Sequence, residues 1–222
     1  VWGTRTAFLS GLIITCFTVT IGVIVGTVSA YYGGVADTIS QRITEVFLTF
    51  PFLLAALTAA TILQPILGGK AGVGGTGLVA GGIAIIVFGW MGFARLIRGD
   101  ILSVRERDYV MAARAVGVRD LRIMLRHIIP NAVFPTLVLA SLNIGTYVGT
   151  FAALSFLGLG AEQGYADWGQ LLAFARNWIT TLDQYWYMVF FPGIALVLFV
   201  LGWNLVGDAV RDILDPRMRK TR

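Results

Sequence analysis

An all-α fold that crosses a membrane several times is what this sequence predicts, on three observations. Charged residues make up 13% of the chain and hydrophobic ones 57%, about half the charged share of a soluble domain, and mean hydropathy is +0.79. Five charge-free stretches are long enough to span a hydrocarbon core, which takes about 20 apolar residues in a helix. The cationic residues crowd one side of those stretches.

The stretches are 7–30, 46–69, 71–94, a run within 127–161, and 184–207. Only Lys70 divides the second from the third, so glycine-rich 68–77 is expected to be their hairpin loop. Gly22, Gly26, Pro51, Pro135 and Pro192 fall inside spans, where membrane helices tolerate them better than soluble helices do. Arg42, Arg95, Arg98, Arg105, Arg107, Arg114, Arg119, Arg122, Arg126, Arg211, Arg217, Arg219, Lys220 and Arg222 lie on one side, fourteen of the seventeen; Arg5, Lys70 and Arg176 lie on the other. That asymmetry predicts a cytoplasmic loop at 99–130, a cytoplasmic tail at 211–222 and an external segment at 157–183. Five spans with a cytoplasmic C-terminus place Val1 outside, and no signal-peptide n-region precedes the first apolar run, so a sixth span upstream of Val1 is expected.

Several chemistries are excluded early. Cys16 is alone and cannot form an internal disulfide; His127 is the single histidine, so no multi-histidine metal site or HExxH centre exists. Gly72, Gly74 and Gly77 satisfy GxGxxG without a preceding strand, and a Walker A loop ending at Lys70 would need glycine where Gln64 stands and serine or threonine where Ala71 stands. The sequence therefore offers no phosphate cradle and no nucleophile–base pair. The excess of cations is explained by membrane topology and not by nucleic acid.

The longest polar stretch between spans is GDILSVRERDYVMAARAVGVRDLRIMLRHIIPN, residues 99–131. Ser103 and Glu106 have capping-box spacing, and Gly117 stands where a helix end wants positive φ, which predicts a helix over 104–116. Asp120 opens a second helix in which Leu121, Met124, Leu125 and Ile128 share an apolar face and Arg119, Arg122 and Arg126 take another, with Pro130 ending it. Two readings stay open on these grounds. Both helices could lie on anionic lipid, or the first, slim at Ala112, Ala113 and Gly117, could fit a groove on a cytoplasmic partner.

Within the spans, Asn143, Thr146, Tyr147 and Thr150 form a polar stripe at i, i+3, i+4 and i+7. Intramembrane polar groups need protein or water, so the stripe either bonds between helices or lines a path for solute. Thr15, Thr18, Gly22, Gly26 and Ser29 form a small-residue stripe that predicts close packing on a neighbouring helix. Asn204, Asp208 and Arg211 read as a polar cluster at a helix end. Trp168, Trp178, Trp186, Tyr165, Tyr185 and Tyr187 gather in or beside the external segment and read as headgroup anchors, with a short helix expected near 166–178.

MAARAVGVRDLRIMLRHIIPN resembles the EAA loop of binding-protein-dependent ABC importer permeases: Ala112, Ala113, Gly117 and Pro130 match in register, whereas Met111 replaces the glutamate, His127 the isoleucine and Ile129 the leucine. AYYGGVADTISQRITEVFLTFPFLLAAL, ALSFLGLGAEQGYADWGQLL and FPGIALVLFVLGWNLVGDAVRDILDPR are similar to the C-type permease of dipeptide and oligopeptide importers. The resemblance covers nearly the whole chain. It implies a type I importer transmembrane domain over 7–210 in a bacterial or archaeal inner membrane, paired with a second homologous permease. It also implies two ATPase subunits that bind ATP and magnesium, and an external substrate-binding protein; this chain would bind no cofactor or metal and would not be an enzyme. On it, the loop docks on an ATPase by the helix around Tyr109–Gly117, the coupling residues being Asp108, Tyr109, Met111, Ala112, Ala113, Arg114, Gly117 and Pro130, leaning on shape and charge because Met111 lacks the usual carboxylate. Peptides are the implied solute, with nickel complexes and oligosaccharides as alternatives. A channel or ion-driven carrier working alone fits less well, since the charges stand at span ends instead of mid-membrane.

Overall fold

In the computed structural model, residues 2–68, 75–162 and 164–214 are described. The tip of the expected 68–77 hairpin, with Lys70, Gly72 and Gly74, lies outside them, as does the tail beyond residue 214. Helix α1 (Trp2–Tyr32) leads through a turn at Gly33 and Gly34, both at positive φ, into α2 (Gly34–Leu48) and α3 (Phe52–Leu67). Helix α4 (Gly75–Val104) follows, then α5 (Asp108–Ala115) and α6 (Asp120–Ile123), a π-helical turn at Met124–Ile128, and α7 (Ile129–Ala132). The chain finishes with α8 (Phe134–Phe156), α9 (Trp168–Ala175), a 3-10 turn at Arg176–Thr181, α10 (Leu182–Tyr185) and α11 (Tyr187–Leu214). Among the described residues there is no strand.

Helices α1, α4, α8 and α11 are long and apolar enough to cross a membrane, and α2 with α3 makes a fifth candidate if the pair is taken as one broken span. The expected span over 46–69 is thus corrected: the two helices meet at 93°. Pro51 causes the break, because it lacks an N–H and forces extended geometry locally; it caps α3 at ψ 121°. The 16 residues of α3 are about 24 Å long, shorter than a full bilayer crossing.

The small-residue stripe on α1 does pack, and on α4. A Cβ at Gly22 would lie 2.5 Å from that of Phe93, and one at Gly26 would lie 2.6 Å from the carbonyl oxygen of Ala94. One buried cluster joins Ile14, Ala56, Ile85, Phe93, Phe151 and Leu154 across α1, α3, α4 and α8. A second, at the loop end of the bundle, joins Ala30, Ile97, Ile101, Val110, Ile123 and Ile128. Helix α11 packs on α8, where Gly145 meets Val200 and Gly207 meets Leu142, but most of its surface is uncovered. Asn204, Asp208 and Arg211 lie on α11, and no side-chain hydrogen bond or ion pair among the described residues joins them.

At the opposite end, α9 forms as expected near 166–178, one turn shorter before the 3-10 segment. Trp168 is buried against Ala7, Val148 and Phe199 instead of anchoring at the surface, whereas Trp178 and Trp186 are half exposed. The Asp167 carboxylate caps α9 by accepting from the Gln170 N–H at 3.0 Å. Burial pushes the Asp167 pKa up, partly offset by the Ser155 hydroxyl and by the N–H groups of Gln170, Gly169 and Trp168. The folded subunit therefore holds this proton more tightly than the unfolded chain, and its contribution to stability falls as pH rises from the ordinary 3.8 to the folded value. Asp167→Asn is expected to keep the cap and erase that slope. Asp167→Ala should cost about 1 kcal/mol of stability, both being read by thermal unfolding in detergent across pH.

Candidate functional site

The loop at the end of α4 does not begin where capping-box spacing predicts. Helix α4 runs straight through Ser103 to Val104, so Ser103 is interior and Arg107, extended at φ −74° and ψ 145°, is the residue before α5. The expected helix over 104–116 is therefore shortened to Asp108–Ala115, because continuing α4 satisfies the same backbone groups without a cap. Asp108 in its first turn and Arg114 in its last both complement the helix dipole. Its end is a Schellman turn: the N–H of Val118 donates to the Ala113 carbonyl at 3.1 Å and that of Gly117 to Arg114 at 3.0 Å. Gly117 has φ +76°, as its place in the sequence predicts.

Helix α5 is held by one side only. Val110 is fully buried, whereas Tyr109 and Met111 are nearly half exposed and Val116 is 79% exposed. Ala112 is also exposed and Ala113 is partly covered. Together these leave a slim, mostly apolar face with Asp108 beside it, uncovered by the rest of the chain.

Around α5, the structure assembles contacts that sequence spacing does not reveal. The Tyr31 hydroxyl, at the end of α1, donates to Asp120 at 2.6 Å, and the Arg114 guanidinium lies 5.2 Å from the Tyr31 ring centre. Tyr31 thus braces both arms of the Gly117 turn. Arg105 donates to the Ala30 carbonyl at 2.6 Å, closing an open carbonyl at the end of α1. Arg98 makes a two-pronged ion pair with Asp37, 2.6 Å on each side, tying α4 to α2. Side-chain contacts thus link the loop to α1 at Tyr31 and Ala30, and α4 to α2 at Arg98.

The second loop helix departs from its expected face. Ile123, Met124 and Ile128 are buried, while Leu121 and Leu125 are 64% and 59% exposed. The π turn at Met124–Ile128 inserts a slip of phase, with the Ile129 N–H reaching back to the Met124 carbonyl. Pro130 does not end the helix either: it occupies the first turn of α7, where its missing N–H costs nothing.

The polar stripe on α8 is divided. Tyr147 is buried and its hydroxyl donates to the Gly89 carbonyl on α4 at 3.0 Å, which makes it an interhelical bond. Asn143 donates to Leu139 and Thr150 to Thr146, both within α8, and Thr146 is exposed. At the far end of the bundle a cavity of about 420 Å³ is lined by Gln64, Ser155, Glu162, Gln170, Arg176 and Asn177. The Glu162 carboxylate there accepts from the Thr76 N–H at 3.0 Å.

Four or five helices long and apolar enough to cross a membrane, with a braced, half-uncovered helix at one end, make this a multi-pass membrane subunit. Residues 19–220 match the binding-protein-dependent transport system inner membrane component family, and the chain belongs to it, as a membrane-spanning permease subunit of an ABC importer. It is 36% identical over 219 residues to the dipeptide transport system permease protein DppC of Alkalihalophilus pseudofirmus, covering 99% of this chain and 67% of that one. It is 34% identical over 218 residues to the oligopeptide transport system permease protein OppC of Bacillus subtilis, covering 98% and 67%. The chain thus spans about two thirds of the length of these relatives. Its fold is similar to that of the MetNI methionine ABC transporter in an inward-facing conformation, with a TM-score of 0.71 at 19% identity, covering 96% of this chain and 95% of the other.

Proposed function

We propose that this permease carries small peptides, delivered by an external binding protein, across the inner membrane with a second homologous permease beside it. Two ATPase subunits on the cytoplasmic side bind ATP and magnesium, do the hydrolysis, and grip α5. The solute class is supported by the named substrates of its relatives. The cytoplasmic placement of α5 and of the C-terminus rests on the fourteen-to-three distribution of cations. In this reading ATP closes the ATPases, α5 moves with them, and α1 and α4 shift between inward-open and outward-open arrangements. The polar cavity at the far end, with Glu162 and Arg176, stands where a zwitterionic solute would arrive. Asn143, Thr146 and Thr150 remain the residues of the α8 stripe that would face its path.

The observation that carries the proposal is the clasp of Tyr31 on Arg114 and Asp120, which makes α5 an extension of the bundle. Tyr31→Phe keeps the ring under Arg114 and removes the hydrogen bond. Uptake of a labelled dipeptide per ATP hydrolysed, measured in proteoliposomes holding the assembled importer, is expected to fall several-fold with subunit abundance unchanged. Adding Asp120→Asn should lower it little further, because both changes break one contact. Equal transport by Tyr31→Phe would remove the clasp from the mechanism. Uptake of a nickel complex or oligosaccharide in place of dipeptide would correct the solute alone.

A further inference from the structure

The helix made of α6, the π turn and α7 has two faces of opposite character. Inward, Ile123, Met124 and Ile128 share a cluster with Ala30 and Tyr31 in the last turn of α1 and with Ile97 and Ile101 on α4. Those neighbours fix its depth. Helix α1 ends at Tyr32, with the first charge after its apolar run at Asp37, and on α4 the first charges after the apolar run are Arg95 and Arg98. The helix therefore lies level with the boundary between hydrocarbon and headgroups.

Outward, Leu121 and Leu125 are more than half exposed, and with Arg119, Arg122, Arg126 and Pro130 they line a groove of about 510 Å³. None of the three guanidiniums makes a side-chain hydrogen bond or ion pair among the described residues, and the nearby Asp120 is engaged by Tyr31. Two leucines left open beside three unpaired arginines suit neither water nor hydrocarbon alone. They suit an amphiphile with a phosphate at one end and acyl chains at the other, since arginine binds phosphate oxygens in pairs and leucine covers the chain. The face of α5 that awaits a partner is separate, beyond the Gly117 turn at Tyr109, Met111 and Val116.

We propose that this groove is a binding site for an anionic phospholipid of the leaflet that faces the loop, its phosphate held by Arg122 and Arg126 and its acyl chains lying along Leu121 and Leu125. Bound lipid would fix the π turn against the ends of α1 and α4 and so stiffen the arm on which α5 rides. The inference depends on the chain spanning a membrane and not on which solute it carries.

The test uses the subunit extracted in mild detergent with its native partners, delipidated, and placed in nanodiscs of phosphatidylcholine with increasing phosphatidylglycerol. Intact-complex mass spectrometry counts retained phosphatidylglycerol, and a photo-crosslinker at Leu125 reports what touches the groove. Arg122→Gln with Arg126→Gln is expected to weaken phosphatidylglycerol retention by about thirtyfold, taking each arginine near a charged surface at its usual worth. Arg42→Gln, which removes one cation at an exposed position on α2, should leave retention unchanged, and folding of each variant is checked by its elution profile. Equal loss in the double variant and in Arg42→Gln, or retention unaltered in the double variant, would overturn the site. So would crosslinks from Leu125 that reach an ATPase subunit in place of lipid.

Discussion

Gly26→Leu is expected to prevent accumulation of a folded subunit. Between membrane helices there is no hydrophobic drive to associate, since lipid is as apolar as leucine, so close packing carries the contact. A Cβ at Gly26 would stand 2.6 Å from both the Ala94 carbonyl oxygen and Ile97 Cγ2, and one at Gly22 would be 2.8 Å from the Trp90 carbonyl oxygen as well. Backbone oxygens cannot rotate away as a side chain does, so α1 and α4 must separate along their shared length. Overpacking of this kind costs about 1–3 kcal/mol for modest additions, and a leucine against main chain belongs at or above the upper end. The separation would also carry Ala30 away from Arg105 and Tyr31 away from Asp120, so the loop helices lose their brace together with the core. Gly92→Leu, on the same α4 where a Cβ meets nothing within 4 Å, is the comparison. Yield and melting temperature of the purified subunit measure the difference, and a Gly26→Leu protein that melts like the parent would show that the two helices are not locked here.

The stripe that makes this prediction is legible in the sequence, because small residues at helical spacing on an otherwise bulky apolar helix have few other uses. Gly117 was legible for a similar reason: a lone glycine after a short amphipathic run marks a left-handed cap. Direction was harder to read. Hydropathy over 46–69 reports how apolar the chain is and nothing of where it points, so the corner at Pro51 shows only as a proline among permitted prolines. Local capping spacing at Ser103 and Glu106 lost to the continuation of α4, since an unbroken helix leaves no groups to cap. The π turn defeated periodicity in another way, exchanging Leu121 and Leu125 for Ile123 on the buried face by a slip that a fixed 3.6-residue count does not contain. Tyr31 was invisible as a site residue, being 89 positions from Asp120; no spacing rule connects them, and only packing of α1 against the loop does.

Gly117→Asp is expected to leave a folded, membrane-inserted subunit that has lost most of its transport. The position is well suited to separate folding from coupling. Its φ of +76° would strain a branched side chain, but aspartate visits this region at a cost of about 1–2 kcal/mol at most. A built Cβ meets nothing within 4 Å, so there is no steric penalty inside the subunit. What changes is the tip of the α5 arm, where a carboxylate would stand beside exposed Val116 and Ala112, on the surface proposed to enter an ATPase groove. Burying that charge unpaired costs several kcal/mol, and each 1.4 kcal/mol lost from docking is about tenfold in the equilibrium. Moving the transporter between its two arrangements from 1:99 to 99:1 requires about 5.5 kcal/mol of differential binding, which leaves no margin for such a loss. Uptake in proteoliposomes should therefore fall by about tenfold or more, while ATP hydrolysis by the partner subunits loses its dependence on external binding protein. Gly117→Asn shares the backbone tolerance without the charge and should keep most of the transport. Were the aspartate variant to pump as well as the asparagine one, α5 would not be the surface through which work enters the bundle.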